Sequence, residues 1–279
     1  MQASAIVRAW RVFGRTFRLA YDHLGLTIGI SFLWFVFVAA PLFVAYVTFS
    51  LTRLLGVWPI AFLVAVFTGA VAGAAVFALT FRLQKGEPVE IGDFFREARA
   101  YLRPATAIAL VDLIITLILF LDLWVVWTAP NPTIRFFAWI WVYLGFIWAL
   151  MLPLHLLLVV RQHDPRVWTV LRTSALIVAG NPVLSLLVLL EALLILFLNT
   201  LLAAGLILLL AGLMGLLYNL YLSEVVQAAK QRTSKDGSEP EGLVAGGRPA
   251  RPEDEREGDR GDDGKPEPEL NPEDEKSGA

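Results

Sequence analysis

The sequence contains no cysteine among its 279 residues. Disulfide bonds, thiolate metal sites and a cysteine nucleophile are therefore excluded. Three patterns that would indicate an enzyme are also missing: H-E-x-x-H for zinc, G-x-S-x-G for a nucleophilic serine, and a glycine loop ending in Lys-Ser/Thr for phosphates. These absences favour a protein that is not an enzyme and that carries neither a metal nor another cofactor.

Apolar residues, by contrast, are in excess: 57% of the chain is hydrophobic and the mean hydropathy is +0.65. A helix needs about 20 apolar residues to cross the hydrocarbon core of a bilayer. The sequence therefore predicts an all-α polytopic membrane bundle of about six transmembrane helices, at 24–49, 57–81, 105–127, 136–160, 183–201 and 202–222. The last two runs abut, and we expect the chain to turn within Asn199–Gly205.

Positive charge alternates between the segments that join these spans. Twelve Lys and Arg lie on the side of the N-terminus, whereas Arg53 and Arg135 alone lie on the other side. Cytoplasmic loops of membrane proteins are enriched in Lys and Arg. We therefore expect both ends of the chain in the cytoplasm.

The chain divides into a basic helix at 1–23, a membrane domain at 24–230 and an acidic tail at 231–279. In the first part, arginines recur at steps of three and four opposite aromatic residues, which is typical of a helix lying in the membrane surface; an ordinary positive flank before the first span is the alternative. These arginines are Arg8, Arg11, Arg15 and Arg18. The tail holds 15 Asp and Glu against 8 Lys and Arg, and this composition predicts disorder.

Two loops on the cytoplasmic side carry amphipathic patterns, which predict short helices at 93–103 and 165–179. Asp93 is placed to cap the first, and Asp164 with Pro165 to start the second. Gly180 and Pro182 should end the second helix and begin the following span.

Three ionisable residues inside the spans are candidates for function: Asp112, His155 and Glu191. Counting along the helices places them at similar depths, about 9 to 14 Å from the cytoplasmic ends. A lone charge at that depth costs several kcal/mol, so we expect these groups to pair in an intramembrane polar cluster able to share a proton or bind a cation. The alternative is a purely structural role in helix packing.

Small residues at helical spacing indicate where helices approach closely. Gly69 and Gly73 form a Gly-x-x-x-Gly pattern in the second span. Such a pattern lets two backbones come together and predicts packing rather than chemistry.

Three stretches carry a family resemblance: LWFVFVAAPLFVAYVTFSL, KGEPVEIGDFFREARAYLRPA and VLRTSALIVAGNPVLSLLVLL. Over residues 12–225 the chain resembles the YesL-like family of bacterial multi-pass membrane proteins, a domain of unknown function found in carbohydrate-utilisation settings. The resemblance implies a bacterial cytoplasmic membrane and a link to sugar uptake, and it supplies no catalytic motif. The acidic tail departs from the family pattern.

Two functions fit these observations. The first is an auxiliary or small permease component linked to carbohydrate uptake, and the second is a membrane scaffold or regulatory protein that presents its cytoplasmic helices and tail to partners. The expected partners are the lipid bilayer and either a membrane protein or a second copy of the chain. Nucleic acid is not expected, because the basic residues are scattered along the interfaces.

Overall fold

The computed structural model describes residues 5–162, 166–202 and 208–236, and all regular structure in those ranges is helical. In chain order the helices are α1 (Ala5–Asp22), α2 (Leu24–Thr52), α3 (Val57–Gln84), α4 (Asp93–Ala100), α5 (Leu102–Thr128), α6 (Pro132–Phe136), α7 (Ala138–Arg161), α8 (Val167–Gly180), α9 (Pro182–Leu201) and α10 (Leu210–Asp236).

Five of these helices, α2, α3, α5, α7 and α9, are long and apolar enough to cross a membrane. They contain 29, 28, 27, 24 and 20 residues, and they match the first five predicted spans to within a few residues. Many of their large apolar side chains are exposed, such as Leu51, Val125 and Trp139, which are 81%, 64% and 64% exposed. The prediction of an all-α helical membrane bundle is confirmed.

The sixth predicted span, 202–222, corresponds in part to α10. Residues 203–207 lie outside the described residues, so the expected turn within Asn199–Gly205 is not tested. Helix α10 is not among the five apolar helices, yet it lies inside the bundle and packs against α1, α2, α3 and α9. Leu216, Leu217 and Asn219 on this helix are fully buried.

Two glycines allow α10 to approach its neighbours. A Cβ on Gly212 would lie 2.6 Å from Thr27 Cγ2 in α2, and a Cβ on Gly215 would lie 2.8 Å from Thr80 Oγ1 in α3. Both distances are shorter than side-chain contacts allow. We call this contact of α10 with α2 and α3 the glycine seam.

The predicted packing role of Gly69 and Gly73 agrees with their surroundings. A Cβ on Gly69 would lie 3.0 Å from Val38 Cγ2 in α2, and one on Gly73 would lie 3.2 Å from Leu156 Cδ1 in α7. The carbonyl of Gly69 also accepts a hydrogen bond from Trp34 Nε1 at 3.2 Å. Small residues thus let α3 pack closely on two neighbours.

The basic helix at 1–23 packs on the bundle rather than standing apart from it. Its buried face consists of Ala9, Val12, Thr16 and Ala20, and it contacts α9 and α10. The four predicted arginines are not part of this buried face: Arg8 is half-buried, and Arg11, Arg15 and Arg18 are exposed. Arg11 Nη1 lies 3.9 Å from Glu224 Oε1 of α10.

Helix α4 is shorter than the predicted 93–103, because a turn at Tyr101 separates it from α5. The prediction that Asp93 caps this helix is wrong: Asp93 is the first helical residue, and its carboxylate binds Arg82 Nη1 of α3 at 2.9 Å and also pairs with Arg96. Burial would raise the pKa of Asp93, but a backbone hydrogen bond from Glu90 and the two arginines lower it below its ordinary value overall. Charge therefore holds α4 against the end of α3.

Helix α8 begins at Val167, so the predicted start at Asp164 and Pro165 lies outside the described residues. It ends at Gly180 and α9 begins at Pro182, as the sequence predicts. Helix α10 continues past residue 230 to Asp236, so the first six residues of the predicted tail, 231–236, are helical. The rest of the predicted disordered tail, 237–279, lies outside the described residues.

Candidate functional site

Asp112 and His155, two of the three candidate residues, are in direct contact. Helix α5 carries Asp112 and α7 carries His155, and Asp112 Oδ1 lies 2.8 Å from His155 Nδ1. The histidine is fully buried, and the aspartate side chain is 15% exposed. Counting residues puts Asp112 about 15 Å from the start of α5 and His155 about 9 Å from the end of α7. An ionisable group at this depth needs a partner, and each supplies the other.

A third member of the site, Ser174 of α8, was not predicted. His155 Nε2 lies 3.0 Å from Ser174 Oγ, and Ser174 Oγ donates to the carbonyl of Leu171 at 2.8 Å. Ser174 is fully buried together with Val170 and Ile177, which lie three to four residues away on the same face of α8. That spacing is the sequence signal that could have identified it.

The three side chains form a chain of hydrogen bonds that can hold different numbers of protons. If Ser174 donates to Leu171, His155 donates from Nε2 to Ser174, and a proton lies between Nδ1 and Asp112. If the Ser174 hydroxyl turns to donate to Nε2, His155 has lost one proton and donates only from Nδ1 to an ionised Asp112. Rotation of the Ser174 hydroxyl therefore lets the chain keep its hydrogen bonds whether or not His155 Nε2 carries a proton.

Trp148 covers the histidine from one side. Its ring centroid lies 5.1 Å from that of His155, and its Nε1 donates to Thr116 Oγ1 of α5 at 3.0 Å. The tryptophan thus links α7 to α5 beside the polar pair and helps to fix the orientation of the imidazole.

Glu191, the third predicted member of the cluster, does not join it. Its Oε2 is buried without a hydrogen-bond partner among the described residues. Glu191 lies on α9, which packs mainly on α1 and α10, whereas Asp112 and His155 lie on α5 and α7. The glutamate is therefore in a different part of the bundle, although its depth is similar. The predicted cluster is therefore a pair completed by Ser174.

Asp112 faces a cavity of about 710 Å³ that lies among α2, α3, α5, α7, α9 and α10. Most of the lining is aliphatic or aromatic, and the described residues that line it include one acidic side chain, Asp112, and no basic one. The polar chain meets the cavity only at Asp112, since His155 and Ser174 lie behind it. Among the described residues nothing donates a hydrogen bond to the second carboxylate oxygen, Oδ2.

A second buried polar group, also not predicted, lies at the end of α7. Arg161 is 8% exposed, and its guanidinium stacks on the Phe81 ring, with Cζ 3.7 Å from the centroid. Arg161 Nε and Nη2 donate to Asn219 Oδ1 at 3.2 and 3.1 Å, and Nη2 also donates to Ser223 Oγ at 3.2 Å. An arginine at the end of a span is expected to lie in solvent, so burial of Arg161 was not foreseen.

Asn219 connects this arginine to the glycine seam. Its amide Nδ2 lies within hydrogen-bond distance of the Phe77 carbonyl, Thr80 Oγ1 and the Gly215 carbonyl, at 3.0, 2.9 and 3.0 Å. The asparagine is fully buried, so its donors and its acceptor are all used within the protein. It fastens α10 to both α3 and α7.

Within the parts of the chain that the structure describes, no group of three or more His, Asp or Glu is placed to hold a metal ion. Comparison of the chain with protein-family models, curated proteins and solved structures finds no match. Five apolar helices around a buried polar chain define the class: an integral membrane protein with an all-α helical bundle.

Proposed function

We propose that this protein is a small permease, or a transport-associated subunit, in a bacterial cytoplasmic membrane, with both chain ends in the cytoplasm. In this proposal the Asp112–His155–Ser174 chain exchanges a proton when the cavity beside Asp112 fills. The observation that carries it is the 2.8 Å contact between Asp112 and a fully buried His155, with one carboxylate oxygen left to face the cavity. The role is not enzymatic.

The cavity itself bears on the proposed link to carbohydrate uptake. A sugar carries many hydroxyl groups, and each needs a hydrogen-bond partner when it leaves water. The lining supplies few such partners, chiefly Asp112, Thr116 and Tyr218. If this protein serves sugar uptake, we propose that it does so as an auxiliary subunit rather than by carrying sugar through this cavity.

A second candidate function is that of a scaffold for other membrane or cytoplasmic proteins. It is supported by α4 and the loop before it, where Glu87, Asp93 and Glu97 pair with Arg82 of α3. In the same segment Ile91 of the loop and Phe95 of α4 are 50% and 54% exposed. A segment held by charge with exposed apolar residues suits a partner protein or a second copy of the chain.

Nitrogen NMR of ¹⁵N-histidine in bilayer nanodiscs tests the proton-exchange proposal, because the chain has only three histidines. The signals of His155 are assigned by their loss in His155→Gln. We expect the ring nitrogens to show both the doubly and the singly protonated form of His155 as the pH is varied, because the proposal requires the Nε2 proton to exchange. Asp112→Asn should change that behaviour, because an amide cannot balance an imidazolium. Asp122→Asn, on the same helix but away from the cavity, is the control.

Two results would count against the proposal. One is a His155 ring that stays in a single protonation state at every pH tested. The other is an identical titration in wild type and Asp112→Asn. Either result would leave the scaffold function ahead.

A further inference from the structure

We infer that the cavity beside Asp112 binds a lipophilic amine, a molecule with an apolar body and one protonated nitrogen that pairs with Asp112 Oδ2. The inference rests on the proposed function, since it names the ligand of the same site. Three features support it: the charge of the cavity lining, the volume and apolar character of the cavity, and the number of protons that the Asp112–His155–Ser174 chain holds.

The lining selects the charge of the ligand. Asp112 is the acidic group on the cavity wall, and no basic side chain stands among the described lining residues, so an anion would enter without a counter-charge. A charge in a low-dielectric interior costs several kcal/mol unless it is paired. A cation is paired by Asp112, whose Oδ2 has no donor among the described residues.

The remaining lining selects the body of the ligand. Apart from Asp112 and a few hydroxyl groups, it consists of aliphatic and aromatic side chains from six helices, and the volume of about 710 Å³ lies within the range of sites for small organic ligands. Aromatic side chains among them can stack on a cation or on apolar groups. These are Trp34, Phe62, Phe77 and Tyr218.

Charge balance then couples binding to proton release. In the empty site, an ionised Asp112 beside a doubly protonated His155 has no net charge. Arrival of an ammonium group adds one positive charge, and loss of the Nε2 proton of His155 to water removes one. The Ser174 hydroxyl then turns from the Leu171 carbonyl to donate to Nε2, while Nδ1 continues to donate to Asp112. No covalent bond other than the N–H bond changes, and one proton leaves for each amine bound.

Three amphiphiles with the same chain and different head groups test this inference: dodecylamine, dodecanol and dodecanoate. Binding to the full-length protein in nanodiscs is measured by calorimetry against empty nanodiscs, in two buffers with different ionisation enthalpies so that proton release is counted. We expect dodecylamine to bind at least about tenfold more tightly than dodecanol, as one ion pair supplies. Dodecanoate should not bind above the empty-nanodisc background, and about one proton should be released per amine.

Matched variants separate charge from shape. Asp112→Asn should lower amine affinity at least about tenfold and leave dodecanol binding unchanged. Asp112→Glu, which keeps the charge, should retain the preference for amine over alcohol if the folded protein is recovered. Asp122→Asn makes the same change ten residues along α5, outside the cavity, and should have no effect.

The outcomes distinguish this inference from the proposed function. Equal binding of amine and alcohol, insensitive to Asp112→Asn, would overturn the amine and show that the cavity takes a neutral lipid chain. A His155 ring that changes its protonation state without any amine binding would also overturn the amine, while the proton-exchanging site would stand. Amine binding that depends on Asp112 but releases no proton, together with a constant His155, would support the ligand class and overturn the proton coupling.

Discussion

Asn219 and Asp112 are both polar residues buried in an apolar bundle, one at the glycine seam and the other at the wall of the cavity. Asn219 is fully buried, and its donors and acceptor are all taken up by α3, α7 and α10. Asp112 uses Oδ1 for His155, lines the cavity, and has no donor to its Oδ2 among the described residues. The difference shows how to separate polar groups that hold a bundle together from polar groups that remain available for a ligand.

The largest effect should come from filling the glycine seam. Gly212→Leu would place side-chain atoms where Thr27 Cγ2 already lies 2.6 Å from the position of a Cβ. We expect a loss of stability of about 3 kcal/mol, at the upper end of what overpacking costs. Thermal unfolding in detergent measures the loss. Gly145→Ala in α7 is the control, because nothing lies within 4 Å of its Cβ position. Equal behaviour of the two variants would show that the seam is not closely packed.

The contrast between Asn219 and Asp112 is tested by replacing each of these two residues with leucine. Asn219→Leu removes the acceptor for Arg161 Nε and leaves a buried guanidinium short of a partner, which should cost about 2 kcal/mol. Asp112→Leu leaves His155 Nδ1 without its partner, but an imidazole, unlike a guanidinium, can give up its charge, so the expected loss is about 1 kcal/mol, the lower value for an unsatisfied buried group. Both variants are compared by thermal unfolding in the same detergent.

Asn199→Leu serves as a control for Asn219→Leu. Asn199 is also buried, but among the described residues its amide donates to the Ile195 carbonyl of its own helix, at 2.7 Å, and to no other helix. If Asp112→Leu proved as harmful as Asn219→Leu, the distinction between the seam and the cavity would fail.

A smaller effect is expected at the end of α3, where Arg82 attaches α4. Asp93→Asn should lower stability by about 1.5 kcal/mol at pH 7, the lower value for a hydrogen bond to a charged group. The pKa of Asp93 is below its ordinary value of 3.8, so its contribution is present above about pH 4 and is lost as the pH falls through the lower folded value. Thermal unfolding at pH 7 and pH 3 should therefore show a gap between wild type and variant that narrows in acid.

Glu90→Gln, at an exposed position near the start of α4, is the control for Asp93→Asn and should match wild type at both pH values. A gap between wild type and Asp93→Asn that stayed constant from pH 7 to pH 3 would show that ionisation of Asp93 does not hold α4.

Hydropathy is enough to place the five long apolar helices, because a run of about 20 apolar residues is visible in the sequence without any knowledge of tertiary contacts. The depth of a residue along its helix can also be predicted from the sequence, since a rise of about 1.5 Å per residue puts Asp112 and His155 near one level. Which helices pack side by side cannot be predicted in this way. Glu191 lies at a similar depth but on α9, whose neighbours are α1 and α10, and nothing in its own segment reports that arrangement.

Two site residues were missed for a different reason. Ser174 and Asn219 are not ionisable, so the search for ionisable groups inside the spans does not include them. An asparagine inside an apolar run is nevertheless costly in a membrane and is itself a signal of interhelical hydrogen bonding. Arg161 is one of the twelve cations counted on the side of the N-terminus, and its place at the end of a span gives no sign of its burial. Its burial depends on Phe81 and Asn219, which are 80 residues before and 58 residues after it in the sequence.

The contact of α1 with α9 and α10 also fixes an order of events during synthesis. Ala9, Val12 and Thr16 leave the ribosome first, but the helices that cover them are the last two to be made. Arg161 on α7 likewise cannot form its hydrogen bond to Asn219 until α10 has been made. The early helices therefore lie in the bilayer with incomplete partners until α10 has been translated, and the described bundle is complete only when α1 and α10 are in contact.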